Sequence, residues 1–120
     1  MKTEYIVMGM IIKYGDRNGN QYIIEQDTIE YNPIKPKFSS SGIYDGGAHV
    51  KLQITPLQYN NIASIFTKAL ANVASHINNR VKGSGEITIQ EGKAVKPCVL
   101  SPNSEKLNEI ERILKDIIKN

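Results

Sequence analysis

The sequence has one cysteine, Cys98, and no tryptophan. A single thiol cannot form a disulfide within the chain, and a lone cysteine fits a reducing compartment better than an oxidising one. We therefore expect a cytoplasmic protein that a hydrophobic core stabilises without disulfides. Because six tyrosines accompany only two phenylalanines, tyrosine should supply most of the aromatic packing.

Long apolar runs are missing as well, and none approaches the length of a membrane span. The first residues, MKTEYIVMGMIIKYG, place Lys2 before an apolar stretch, as a secretory signal would. Glu4, the single basic residue before that stretch and the lack of a small-residue cleavage site favour a β-strand instead. We expect no membrane partner.

The common catalytic and cofactor motifs are also missing. The chain contains neither of the glycine-rich phosphate-binding motifs and no serine in a nucleophile elbow. His49, His76 and Cys98 do not have the spacing of metal ligands. The sequence therefore predicts no metal, no cofactor and no catalytic residue, and it favours a non-enzymatic protein over an enzyme.

The positive charge is modest and unevenly placed. Fifteen Lys and Arg oppose twelve Asp and Glu, which gives a net charge of +3. The densest basic region is NNRVKGSGEITIQEGKAVKP, with Arg80, Lys82, Lys93 and Lys96. Dedicated nucleic-acid binders usually carry a denser stripe with interleaved aromatic residues. Weak nucleic-acid binding through residues 80–96 is therefore only a minor alternative.

Apolar periodicity and turn residues predict a single globular α+β domain over residues 1–120. Strands are expected over 4–14 and 22–31, then a hairpin with strands 37–44 and 48–54, a helix over 55–79, a hairpin over 86–100 and a helix over 101–120. This order, β-β-(β-β)-α-β-β-α, favours a mainly antiparallel sheet of hairpins, about 4–6 strands, packed against two α-helices. The pattern leaves open whether the hairpins share one sheet.

The long helix has the clearest signals. Thr55 is placed as N-cap, Pro56 at the first helical position and Gln58 at the capping-box position. One apolar face follows at helical spacing, through Ile62, Ile65, Phe66, Ala69, Leu70, Val73 and Ile77. His76 should pack beside that face, and the glycines at 83 and 85 should end the element.

The most unusual stretch is KFSSSGIYDGGAHVK, residues 37–51. Its candidate binding residues are Ser39, Ser40, Ser41, Tyr44, Asp45, Gly46, Gly47 and His49. The simplest interpretation is a hairpin turn, in which the glycines supply unusual φ angles and Asp45 a local hydrogen bond. A recognition edge for a partner is a second interpretation. A serine nucleophile with His49 and Asp45 is a third, but triads are normally assembled from distant segments.

These patterns favour a small protein-interaction module that is inhibitor-like, immunity-like or a subunit of an assembly. The expected partner is another protein, and a homo-oligomer is compatible with the sequence. The alternative is a small enzyme or ligand-binding protein that uses residues 39–49. No family motif can be identified from these residues.

Overall fold

The computed structural model describes residues 10–35, 37, 42–43 and 45–119. Within these residues, seven strands form one sheet, and each pairing between neighbours is antiparallel. The strands are β1 Met10–Gly15, β2 Gln21–Ile24, β3 Thr28–Asn32, β4 Val50–Gln53, β5 His76–Ile77, β6 Gly85–Glu91 and β7 Ala94–Leu100. Two helices complete the fold, α1 over Pro56–Ala71 and α2 over Glu105–Lys119. The predicted α+β class is confirmed.

The strands lie in the order β4-β3-β2-β1-β6-β7-β5. Pairing of β1 with β6 joins the N-terminal strands to the later hairpin, so both belong to one sheet. The count of seven exceeds the expected range for two reasons. The run predicted as a single strand over 22–31 forms two strands, and a short strand, β5, replaces the end of the predicted long helix.

Alternation along the strands buries one face of the sheet beneath both helices. Ile12 lies opposite Ile24 on one side and Ile89 on the other, and all three are buried. Tyr14 reaches both helices, since its ring lies 5.6 Å from that of Phe66 in α1 and its hydroxyl contacts Glu111 in α2. The two helices therefore cover the same face of the sheet.

Helix α1 begins as its sequence predicts. The Thr55 hydroxyl oxygen accepts a hydrogen bond from the Gln58 amide at 3.1 Å, and the Gln58 side chain accepts one from the Thr55 amide at 2.8 Å. Pro56 occupies the first turn, where its missing N–H is not needed. A cap of this kind stabilises a helix by about 1 kcal/mol.

The end of α1 differs from the prediction. The helix ends at Ala71, a 3₁₀ turn follows over Val73–Ser75, and β5 then pairs with the end of β7. Val73 is 73% exposed rather than on the apolar face. Ser75 contributes to the early end because its hydroxyl donates to the Asn72 carbonyl at 2.8 Å, which competes with helical bonding. His76 packs as expected, with Nε2 donating to the Ala69 carbonyl at 2.9 Å.

The predicted strand over 22–31 turns back in its polar middle. The Glu25 amide donates to the Thr28 carbonyl at 2.9 Å, which closes a tight turn between β2 and β3. The polar residues 25–28 are therefore a reversal of the chain and not the middle of one strand. The strand that follows this turn, β3, pairs with β4 in the register Glu30↔Lys51.

The described residues do not form the hairpin expected over 37–54, and residues 38–41 and 44 of its first strand lie outside them. Its second strand is present as β4, but the partner of β4 is β3. Of the residues expected in its first strand, the described ones, Lys37, Gly42 and Ile43, are not in a strand. A polar turn within 22–31 thus supplies the partner that was expected from residues 37–44.

The later elements follow their local signals. The hairpin predicted over 86–100 is formed by β6 and β7. Glu91 pairs with Ala94, so Gly92 and Lys93 form its tight turn, and Gly92 has a φ of +60°. The Ser104 side chain accepts from the Lys106 amide at 3.1 Å, as expected of a residue that caps α2.

Candidate protein-interaction surface

Between β3, which ends at Asn32, and β4, which begins at Val50, the chain comes back on itself where Ile34 and Gly46 meet. The Gly46 amide donates to the Ile34 carbonyl at 2.9 Å, which closes the base of this excursion. We call residues 35–47 the anchored loop; its described residues are 35, 37, 42, 43 and 45–47. Surface loops whose two ends meet are often functional.

Buried polar groups hold the base of the anchored loop. Asn20 is 2% exposed, and its side-chain oxygen accepts from the Ile34 amide at 3.0 Å. Asp16, also buried, fixes Asn20 by accepting from its side-chain amide at 2.9 Å. On the other side, the Tyr31 hydroxyl donates to the Gly46 carbonyl at 2.6 Å. The base is therefore fixed to the β1–β2 turn and to β3.

The glycines of the loop have two different roles. Gly47 has a φ of +100°, and its amide donates to the Asp45 carboxylate at 2.9 Å, as the turn interpretation predicts. Gly46 does not have a positive φ. Position 46 requires a glycine because there is no room for a side chain. A Cβ there would overlap the Asn20 side-chain oxygen and approach Pro33 at 2.9 Å.

Outside the base, the described residues of the anchored loop are exposed. Lys35 donates to the Gly47 carbonyl at 2.6 Å and lies 3.7 Å from the Asp45 carboxylate, and both of these side chains are more than half exposed. Such an exposed pair adds little stability. Ile43 is 82% exposed, the highest value among the exposed large hydrophobic residues of the described chain.

His49 lies apart from this turn. Its Nε2 is 2.7 Å from the Glu30 carboxylate. Glu30 sits between the buried residues Ile29 and Tyr31 and therefore points to the sheet face away from the helices. The structure thus brings Asp45, Gly46 and Gly47 together and directs His49 to β3.

Four of the predicted site residues, Ser39, Ser40, Ser41 and Tyr44, lie outside the described residues. A role for the serines beside His49 and Asp45 therefore stays a prediction.

The basic residues of 80–96 do not form one cluster. Arg80 donates to the carbonyls of Gly15 and Asp16, both at 3.3 Å. Lys82 precedes β6 and Lys93 follows it, so the seven residues of this strand separate them by about 23 Å at the usual rise of a strand. The positive charge is thus divided between the two ends of a hairpin.

A buried carboxylate that the sequence analysis missed joins α2 to β1. Glu111 is 6% exposed, and one of its oxygens accepts from the Tyr14 hydroxyl at 2.8 Å and from the Arg17 amide at 3.0 Å. The other oxygen accepts from Arg17 Nε at 3.1 Å. Glu111 lies four residues after Leu107 and three before Leu114, so a carboxylate on the apolar stripe was the signal that could have identified it.

The Tyr14 hydroxyl acts as a permanent donor in this cluster. Burial raises its pKa far above the ordinary value of 10.0, and the nearby negative charge of Glu111 raises the pKa further. A phenol that keeps its proton donates to the carboxylate but cannot serve as a base. We therefore assign the cluster to packing of α2 on the sheet.

A shallow cleft of about 620 Å³ lies beside the start of α2, between residues 72–75 and 101–104. Its charged lining is balanced, with Glu105 and Glu109 against Lys106 and Arg112. Lys106 and Glu109 also pair with each other at 3.9 Å. The cleft is polar and without a dominant charge, whereas most small-molecule sites are largely apolar.

Cys98 is half-buried, and burial raises the pKa of its thiol to about 11. The neutral thiol form therefore dominates near pH 7, and the residue lacks the thiolate that a nucleophile needs.

Within residues 10–35, 37, 42–43 and 45–119, no group of three His, Cys, Asp or Glu side chains is arranged to hold a metal ion. In the same part of the chain, neither helix combines the length and apolar character needed to cross a membrane. Comparisons with known proteins gave no significant match to a family model, to a curated protein or to a solved structure.

Proposed function

We propose that this chain is a small protein-interaction module whose anchored loop contacts a protein partner. One observation carries the proposal: a loop whose described residues are largely exposed is closed at its base by a main-chain hydrogen bond and held there by the buried side chains of Asn20 and Tyr31. Gly46 bonds to Ile34, and Asn20 holds Ile34 from the opposite side. A shorter turn could join β3 to β4 at a lower cost in loop-closure entropy, so reversal of the chain alone does not require a loop of this length.

A fixed base favours binding because it reduces the entropy that the loop loses when a partner immobilises it. Ile43 supplies the apolar contact, since burial of an isoleucine side chain contributes about 1.5–3 kcal/mol. The loop also carries the exposed charges of Lys35 and Asp45 beside its base, so polar contacts can accompany the apolar one. This is the usual anatomy of a protein interface.

The proposal includes inhibitor-like, immunity-like and assembly-subunit roles, because each needs a stable scaffold that presents a loop. The lone cysteine supports a role in a reducing compartment such as the cytoplasm. Its raised thiol pKa fits a cysteine that packs and does not react.

The test places a photo-crosslinking amino acid at position 43 in the native host and identifies the captured protein by mass spectrometry. Affinity for that protein is then measured with purified components. Ile43→Ala should weaken binding about tenfold or more, as expected for a central apolar contact. Asp45→Ala should weaken it less, because its side chain is 55% exposed.

Val73→Ala is the matched control, since Val73 is a similarly exposed aliphatic residue at 73%. It should leave the affinity unchanged within about twofold. Equal losses for the two variants, or cross-links from position 73 to the same protein, would mean that the anchored loop is not the contact surface.

A further inference from the structure

We infer that the outer edge of β4 receives an extended, acidic strand of the protein partner, which adds an eighth strand to the sheet. This inference rests on the proposed function and names the chemistry of the partner. Only Ala48 and His49 separate the anchored loop from β4, which begins at Val50. A single partner can therefore contact the loop and the edge together.

Strand β4 is the terminal strand of the sheet on its side. It pairs with β3 over Val50–Gln53, and in the described part of the chain no strand pairs with its other edge. The opposite end of the sheet is less receptive. There Pro97 removes a main-chain donor from β7, and β5 already covers Val99 and Leu100.

The side chains of β4 alternate as a docking strand requires. Val50 and Leu52 are partly buried and pack against the margin of the core. Lys51 and Gln53 are exposed on the other face. Leu57, 70% exposed at the start of α1, adds apolar surface five residues after Leu52. A strand with alternating apolar residues would extend the inner face of the sheet over this margin.

Charge indicates an acidic partner. Lys51 lies opposite Glu30 in the β3–β4 pairing, but the Glu30 carboxylate is 2.7 Å from His49 Nε2. Among the ion pairs of the described residues, none includes Lys51. An acidic side chain on the added strand would lie beside this lysine. A second copy of the chain, paired antiparallel about Lys51, would instead place two lysines opposite each other.

The probe is a capped seven-residue peptide, Glu-Val-Thr-Val-Glu-Val-Thr, added to the full chain labelled with ¹⁵N. We expect the largest amide shifts at residues 50–53 and about fivefold slower hydrogen exchange at the outward-facing amides of β4, because main-chain bonding protects amides. The same peptide N-methylated at every residue should not bind, since it lacks main-chain donors on both edges.

Lys51→Glu should weaken binding about two- to fivefold, the range expected for one exposed ion pair. Lys13→Glu is the matched control, because Lys13 is an exposed lysine on the central strand β1. It should leave the peptide affinity unchanged.

Three results would overturn the inference: shifts confined to the loop or to the cleft beside α2, an N-methylated peptide that still binds, and equal effects of the two lysine variants. Self-association that the peptide cannot displace would overturn it too, because a second copy would then occupy the edge. If the partner captured at position 43 still requires Ile43 but leaves β4 exchange unchanged, strand addition is wrong and the proposed function remains supported.

Discussion

The Glu111 carboxylate accepts a hydrogen bond of 2.8 Å from the Tyr14 hydroxyl, although the two residues are 97 positions apart. This contact joins the last helix to the first described strand. Arg17 completes it, because its guanidinium lies 3.1 Å from the other carboxylate oxygen. Since the Glu111 carboxylate is buried and fully paired, removal of one partner should destabilise the fold more than the loss of an ordinary surface contact.

Glu111→Ala should lower the free energy of unfolding by about 2–3 kcal/mol, because it leaves the Tyr14 hydroxyl and the Arg17 amide without their acceptor. Urea unfolding followed by circular dichroism measures the change. Glu109→Ala is the control, since Glu109 has a side chain 40% exposed, and it should alter stability by no more than about 0.5 kcal/mol. Similar losses in both variants would show that the cluster does not bind α2 to the sheet.

Alkaline pH should expose the role of the Tyr14 proton. Burial raises the folded-state pKa above the ordinary 10.0, so the folded chain retains a proton that the unfolded chain loses. The stability that the Tyr14 proton contributes is therefore fully present below about pH 10. Above that pH, this residue lowers the free energy of unfolding by about 1.4 kcal/mol per pH unit. Tyr14→Phe should be less stable than the wild type at pH 8 and should lose less stability between pH 10 and 11. Parallel losses in both proteins would contradict this assignment.

Gly46→Ala should loosen the base of the anchored loop. The added methyl group would meet the Asn20 side-chain oxygen and Pro33, and the buried groups around Gly46 leave little room to adjust. We expect a loss of about 1–3 kcal/mol, as for overpacking elsewhere in proteins. Gly15→Ala is the control, because a Cβ there meets only the flexible Gln21 side chain at 3.2 Å. Thermal unfolding of both variants measures the difference in stability. If Gly46→Ala is as stable as the wild type, the base of the anchored loop is open in solution.

Short sequence patterns predicted the elements that depend on interactions between residues close in sequence. The Thr55–Gln58 capping box and the hairpin over 86–100 each depend on residues close in sequence, and both are confirmed. The choice of β3 as partner for β4, the early end of α1 and the burial of Glu111 depend on contacts distant in sequence. A carboxylate on a helix stripe becomes favourable only when a strand supplies a donor such as Tyr14, and periodicity does not contain that information.

The candidate surface also combines local contacts, which the sequence predicts, with distant contacts, which it does not. The sequence identified Asp45 and Gly47 as turn residues, and the structure confirms the hydrogen bond and the positive φ. It did not indicate that Asn20, in the β1–β2 turn, would accept a hydrogen bond from Ile34, or that Tyr31, in β3, would donate one to Gly46. The anchored base therefore emerges only from the tertiary fold.

Loss of the α1 cap should be measurable without disturbing the core. Thr55→Ala removes the acceptor of the Gln58 amide and should cost about 1 kcal/mol. Ser64→Ala provides the control, because Ser64 is exposed in the middle of the same helix. There alanine has the better helix propensity, so stability should be unchanged or slightly higher. If both variants behave alike in urea unfolding, the capping box does not contribute to α1 in solution.

The thiol of Cys98 should react slowly in the folded chain. Burial raises its pKa to about 11, so little thiolate is present at pH 8, and the half-buried position also limits access. We expect the rate of reaction with a disulfide reagent to be at least about tenfold lower in buffer than in denaturant, and to rise with pH toward 11, because the thiolate is the reactive form. The unfolded chain at the same pH is the reference. Equal rates in the folded and unfolded chains would show that the end of β7 opens readily and that Cys98 is not protected by packing.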